Sequence, residues 1–199
     1  LQQGLAASSL TLTSAGAITD AMDTSLTVTG GSLMTATSTI TLADTALDEL
    51  EVAGNASFTG SAVTIGAAGT ANFGSLTFNS VGAVNVQEDS ATELTGINTA
   101  NKLDLDSAGA ITDANGTSLT VSNLASFLAG GNAITLGDQA GDTTNFGSLH
   151  FRGGAVTITE DSATEFSNNL GLPLLQQGLA ASSLTLTSAG AITDAMDTS

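Results

Sequence analysis

The chain has 199 residues, and its 19 acidic side chains face only Lys102 and Arg152, for a net charge of −17. That balance repels phosphate backbones and anionic membrane surfaces, which excludes nucleic acid as a partner, and no apolar run approaches the length of a spanning helix. Cysteine is absent, so disulfides, thiolate metal sites and a cysteine nucleophile are excluded, while 41% hydrophobic residues argue for an ordered core rather than an acidic disordered tail.

The first phrase, Leu1 to Ser25, returns unchanged at all 25 positions as Leu175 to Ser199, an offset of 174. Repetition is read before anything else because it decides the architecture. Residues 1–174 are one full repeat, residues 175–199 begin the next, and no separate globular domain is expected. The start has neither an initiator Met nor a basic-then-apolar leader, so an export signal is expected outside this sequence. A looser repeat lies inside the period, in sub-repeats of about 14–106 and 107–187. Ser14–Ala21 returns at Ser107–Ala114, Asn72–Leu76 at Asn145–Leu149, and Glu88–Glu93 at Glu160–Glu165.

The halves differ mainly by one block of 24 residues, Gly31 to Gly54, which echoes its own neighbours: Leu50-Glu51-Val52 repeats Leu26-Thr27-Val28. A whole unit gained or lost without disturbing its flanks suits a stack of like coils. With coils of about 24 residues, the 174-residue period holds about seven.

Strand patterning runs the length of the chain. Leu10/Leu12, Leu26/Val28, Leu50/Val52, Leu76/Phe78 and Val84/Val86 are apolar at alternate positions. Leu103/Leu105, Leu119/Val121, Ile134/Leu136, Leu149/Phe151 and Val156/Ile158 continue the pattern, with Thr, Asn, Asp, Glu or Ser between most of them. Period-two alternation in short segments bounded by Gly, Asn, Asp and Ser predicts half-buried strands, about three to a coil. Two all-β architectures fit: a parallel β-helix, and a string of immunoglobulin-like sandwiches of about 100 residues. Unequal halves, the 24-residue insertion and the lack of Trp and Tyr favour the β-helix.

The phrases Ser9–Asp20, Ser25–Val28, Asn72–Leu76 and Ala155–Glu165 together resemble the β-strand repeats of giant bacterial surface proteins. They are similar to filamentous-haemagglutinin-type adhesins and autotransporter passengers. The resemblance implies a right-handed parallel β-helix, export to the cell surface or beyond, and a fibre or adhesin role. It carries no catalytic residues across. The partner it implies is the chain itself, joined by tandem repeats or head-to-tail stacking, with other surface proteins or glycans as further candidates. Seven coils at strand spacing would advance about 34 Å.

Acidic residues gather at repeated places: Asp20 with Asp23, Glu88-Asp89 with Glu93, Asp138 with Asp142, and Glu160-Asp161 with Glu165. Calcium at such turns is one reading, since hard cations want several oxygen ligands. Solvated acidic turns are the other, and neither a calcium β-roll nonapeptide nor an EF-hand loop is present. No metal, cofactor or catalytic residue is assigned on sequence. His150 lies between Leu149 and Phe151, so alternation turns it outward, and Arg152 shares its parity. Lys102, Asp104 and Asp106 share an outward face. Glu88 and Glu160 would be the carboxylates of a glycan hydrolase, but nothing pairs them with a substrate groove. Thr pairs such as Thr11/Thr13 and Thr27/Thr29 read as β-propensity on a solvated face. The sequence therefore predicts a structural rod rather than an enzyme.

Overall fold

The computed structural model describes residues 4–167 and 178–194, and among these every regular element is a strand. The first are β1 (Leu5–Ala7), β2 (Leu10–Ser14), β3 (Ile18–Thr19), β4 (Ser25–Val28), β5 (Ser32–Ala36) and β6 (Ile40–Leu42). Longer strands then enter: β7 (Glu49–Gly60), β8 (Val63–Ile65), β9 (Thr70–Ser80), β10 (Ala83–Glu88), β11 (Thr92–Leu94), β12 (Ile97–Ala100), β13 (Lys102–Ser107) and β14 (Ile111–Asp113). The second half holds β15 (Ser118–Leu128), β16 (Ile134–Leu136), β17 (Thr143–Arg152), β18 (Ala155–Glu160), β19 (Thr164–Phe166), β20 (Ser183–Ser188) and β21 (Ile192–Asp194).

All pairing is parallel, each strand bonding to one laid down a turn later. Ladder one runs β3–β6–β8–β10–β13–β15–β17–β19–β21. Ladder two runs β2–β5–β7–β9–β11–β14–β16–β18–β20. The third face is interrupted: β1–β4–β7–β9 stack through the first halves of β7 and β9, and β12–β15–β17 then start afresh on the second half of β9. Sandwiches are built from antiparallel sheets, so this topology is the solenoid and not the immunoglobulin-like alternative.

The solenoid has about seven turns of about 22 residues. The 24-residue spacing read from the duplicated block holds for Leu26 to Leu50 and Ala125 to Leu149, whereas Val84 reaches Leu103 after 19 and Leu149 reaches Phe166 after 17. Turn length thus varies, with Ile18 reaching Ile40 after 22 and Val63 reaching Val84 after 21, and the mean falls below 24.

Alternation explains the interior. Ile18, Ile40, Val63, Val84, Leu103, Ala125 and Leu149 form one inward rank along ladder one, each buried. Such side chains contribute about 1.5–3 kcal/mol each when fully buried, and one continuous core joins all the turns. Phenylalanines pack in pairs at the corners, Phe58 edge-on to Phe73 at 5.8 Å and Phe127 tilted against Phe146 at 5.6 Å between ring centres. The repeated Asn-Phe-Gly-Ser-Leu phrase is a corner device. Phe73 and Phe146 point inward before the bend and Leu76 and Leu149 after it. At the bend, a Cβ on Gly74 would lie 2.2 Å from the Ala53 carbonyl oxygen, so only glycine admits the coil beneath.

The strands Leu10–Ser14 and Ile18–Thr19 of the first phrase recur as strands in the second, whereas Leu5–Ala7 recurs only as a bridge at Ala180. β2 and β20 both belong to ladder two, and β3 and β21 both to ladder one, eight register steps apart in each. Ile18, covered by the coil carrying Ile40, is 7% exposed, whereas its copy Ile192 is 51% exposed.

Candidate functional site

Two turns after the Ile-Thr-Asp strands concentrate the buried acid. After β3 the chain turns through residues 20–24, and after β14 through residues 113–117, the matching stretch 93 residues later. One coil on, residues 44–48 and 138–142 turn against them. Asp20 Oδ2 accepts the Ala43 N–H at 2.8 Å, and Asp113 Oδ2 accepts the Gly137 N–H at 2.9 Å. Ala43 and Gly137 both have left-handed backbones, with φ of 54° and 66°. Asp48 accepts Thr24 N–H on one oxygen and Thr45 N–H on the other, each at 2.8 Å. Asp142 likewise accepts Gly116 N–H at 2.8 Å and Gln139 N–H at 2.9 Å.

In each corner three carboxylates converge. One oxygen from each of Asp20, Asp44 and Asp48, and one from each of Asp113, Asp138 and Asp142, lie within 4.8 Å of one another. The Oδ1 atoms of Asp20 and Asp113 are buried without a hydrogen-bond partner. Burial, then the charges of Asp142 and Asp138, push the Asp113 pKa up to about 6 against the opposing Gly137 hydrogen bond. At Asp48 burial also works upward, but the hydrogen bonds from Thr45 and Thr24 win and hold it below the ordinary 3.8. These six residues are the ones that could hold a metal ion.

Only part of this arrangement follows from the acidic pairs in sequence. Asp138 and Asp142 do meet, but Asp20 joins Asp44 and Asp48, while Asp23 is exposed and lies outside the cluster. Asp44, Asp48 and Asp113 are the missed members. The signal was the repeat offset: Asp20 to Asp113 is 93, and Asp44 to Asp138 and Asp48 to Asp142 are both 94.

The Glu-Asp-Ser-Ala-Thr-Glu boxes are a different device from the solvated turns expected. Glu88 and Glu160 are buried, at 3% and 1% exposure. Glu88 Oε1 accepts the Phe73 N–H at 3.0 Å and the Ser90 hydroxyl at 3.0 Å, while Oε2 accepts the Thr92 hydroxyl at 2.6 Å. Glu160 repeats this with Phe146 N–H at 3.0 Å, Ser162 at 2.8 Å and Thr164 at 2.6 Å. Asp89 and Asp161 accept the Ala71 and Thr144 N–H groups at 3.0 and 2.9 Å. The peptide groups so satisfied belong to the first halves of β9 and β17, over which no strand pairs among the described residues. Side-chain carboxylates replace a strand there and close the ladder. Glu93 and Glu165 remain exposed.

His150 corrects an expectation: it is fully buried, not outward. Its register partner Ser126 is buried as well, with Ser126 Oγ 3.3 Å from His150 Nδ1, and the backbone of Gly178 lies beside the ring. With the Gly178 backbone against it, alternation gives the direction of the His150 side chain but not its exposure. Burial lowers the His150 pKa below the ordinary 6.5, with Asp104 opposing. Lys102, Asp104 and Asp106 share the outer side of β13, over buried Leu103 and Leu105, and Arg152 is half-buried. The outward rank Thr13, Thr35, Thr59, Asn79, Thr99, Thr120 and Asn145 is Thr-rich but interrupted twice by Asn.

The family described as repeats of unknown function (DUF5649) matches residues 1–48 and 81–150, more than half of the chain. Each matched stretch contains one complete aspartate corner. No curated protein and no solved structure matches the chain.

Proposed function

This chain belongs to the family of repeats of unknown function DUF5649, and we propose that it is a length-building segment of an extracellular fibre or giant surface protein. The observation that carries the reading is that one identical phrase occupies the same two ladders eight steps apart. The exposed apolar side chains Leu184 and Ile192 lie where a further β5–β6 pair would stack, as Ser32 and Ile40 pair with Leu10 and Ile18 in the first copy. A repeat whose opening phrase returns to the same two ladders adds length without changing the rod. Its partner is therefore itself, through tandem copies or end-to-end stacking. The resemblance to filamentous-haemagglutinin-type adhesins and autotransporter passengers supports a surface location. The acidic exterior keeps neighbouring rods apart. The segment is not read as an enzyme, because Glu88 and Glu160 are sealed in the ladder caps with both oxygens hydrogen-bonded.

The test uses chains of two, three and four tandem 174-residue periods, imaged by electron microscopy. At about 4.8 Å per turn, seven turns to eight ladder steps predict that each period lengthens a straight rod by about 34–38 Å. Beads joined by flexible links, or particles that thicken instead of lengthening, would overturn the proposal.

A further inference from the structure

We propose that the two aspartate corners are divalent-cation sites of calcium's size, Asp113 with Asp138 and Asp142 and Asp20 with Asp44 and Asp48, each clamping one coil to the next. Within each triad the first aspartate comes from one turn and the other two from the next, so a bound ion ties consecutive coils at a corner. Calcium takes oxygen ligands at about 2.3–2.6 Å, so ligands on opposite sides of one ion stand about 4.6–5.2 Å apart. Three carboxylate oxygens within 4.8 Å of one another therefore fit around a single ion.

The independent sign of a missing ligand is Asp113 itself. It is 6% exposed, its Oδ2 is held by the Gly137 N–H, and its buried Oδ1 has no partner. A carboxylate oxygen withdrawn from water without a donor is costly, and a cation is the partner such an oxygen lacks. The same atom is unpartnered in the other corner, at Asp20, whose side chain is half-buried. The charges acting on Asp113 are those of Asp142 and Asp138, both of its own sign. Backbone N–H groups already orient Asp48 and Asp142, so two of the ligands are in place before an ion arrives. Asp44 and Asp138 are exposed, which leaves the outer side open for water to complete a shell of six to eight oxygens. Magnesium, with a stricter octahedron at about 2.0–2.1 Å, suits three carboxylates from separate turns less well.

The experiment titrates calcium chloride into the 199-residue chain at neutral pH by calorimetry, alongside thermal unfolding with calcium, magnesium or a chelator. Two calcium ions per chain are expected, with dissociation constants of about 10⁻⁴–10⁻³ M, the range of extracellular calcium modules. Asp113→Asn should reduce the stoichiometry to one, and the pair Asp113→Asn with Asp20→Asn to none. With chelator present the double variant should melt no lower than the parent, having lost an unpaired buried charge. With calcium present the parent alone should gain in melting temperature, so a folding defect cannot imitate the result. Failure of calcium to bind or to raise the parent's melting temperature would overturn the proposal. So would binding that survives in the double variant, or magnesium acting as strongly as calcium.

Discussion

Glu88 does the work of a strand for Phe73: its Oε1 accepts the Phe73 backbone N–H at 3.0 Å at a level where no strand pairs above among the described residues. Glu160 does the same for Phe146. An edge left bare inside a stack would strand buried donors, and each such donor costs about 1–3 kcal/mol. Glu88→Ala removes the acceptor for Phe73 and for the Ser90 and Thr92 hydroxyls together. It is expected to destabilise the chain by about 2–4 kcal/mol, lost hydrogen bonds and a small void combined. Glu88→Gln keeps an oxygen for Phe73 and should cost clearly less. Urea unfolding of the two variants checks this, and equal losses would mean that the carboxylate is not acting as the cap.

The same residue should leave a pH signature. Burial raises the Glu88 pKa above the ordinary 4.5, with the hydrogen bonds from Thr92, Phe73 and Ser90 only partly opposing it. A carboxyl group whose folded pKa exceeds its unfolded value holds its proton more tightly when folded, so stability falls as pH rises. The loss begins near pH 4.5 and ends above the raised folded value. The Glu88→Gln variant has no such proton, so its melting temperature should gain on the parent across that window and run parallel above it. A difference that stays flat, or that narrows as pH rises, would contradict a raised pKa at Glu88.

Corner glycines carry a steric prediction. A Cβ on Gly147 would stand 2.3 Å from the Ser122 carbonyl oxygen and 2.9 Å from Asn123 Cα. Both obstacles are backbone, so Gly147→Ala must push two coils apart, and a loss of about 1–3 kcal/mol is expected. Gly131 has nothing within 4 Å of the same atom and no left-handed φ. Gly131→Ala should therefore be neutral or stabilise by up to about 1 kcal/mol through the unfolded chain. Thermal unfolding of the pair decides it, and a harmless Gly147→Ala would show that the corner has slack.

Much of the ladder was legible because burial of one strand face writes itself as alternation. Leu26/Val28, Leu103/Leu105 and Ile134/Leu136 are all buried as their spacing requires. Two kinds of feature were not legible, for one physical reason. His150 and Ser126 have outward parity yet are buried, each against the other across 24 residues and His150 against the Gly178 backbone. Asp20 and Asp44 are 24 residues apart and meet only because a turn closes, just as Glu88 reaches back 15 residues to Phe73. Local pattern reports the faces of a strand; contacts one turn apart depend on the coil length, which varies with each closed face.

Residues 31–54 give the strongest test of stacking. The Gly54 N–H donates to the Gly30 carbonyl at 3.0 Å, so the block begins and ends at points directly above one another. Deleting it joins Gly30 to Asn55 and removes one whole turn. Ser32 pairs with both Leu10 and Ala56, and Ile40 with both Ile18 and Val63, so β2 would meet the second half of β7 and β3 would meet β8 in unchanged register. Asp20 would find Gly66, whose φ of 73° matches the left-handed turn of Ala43. The shortened chain should keep its β-rich circular dichroism and unfold cooperatively, with a denaturant slope lower by about 12%, the share of residues removed. It should also bind one calcium ion instead of two, having lost Asp44 and Asp48. Removing only residues 31–47 takes out less than a turn and should abolish folding, because every inward side chain downstream would meet the wrong corner. Equal tolerance of both deletions, or of neither, would refute stacking by whole coils.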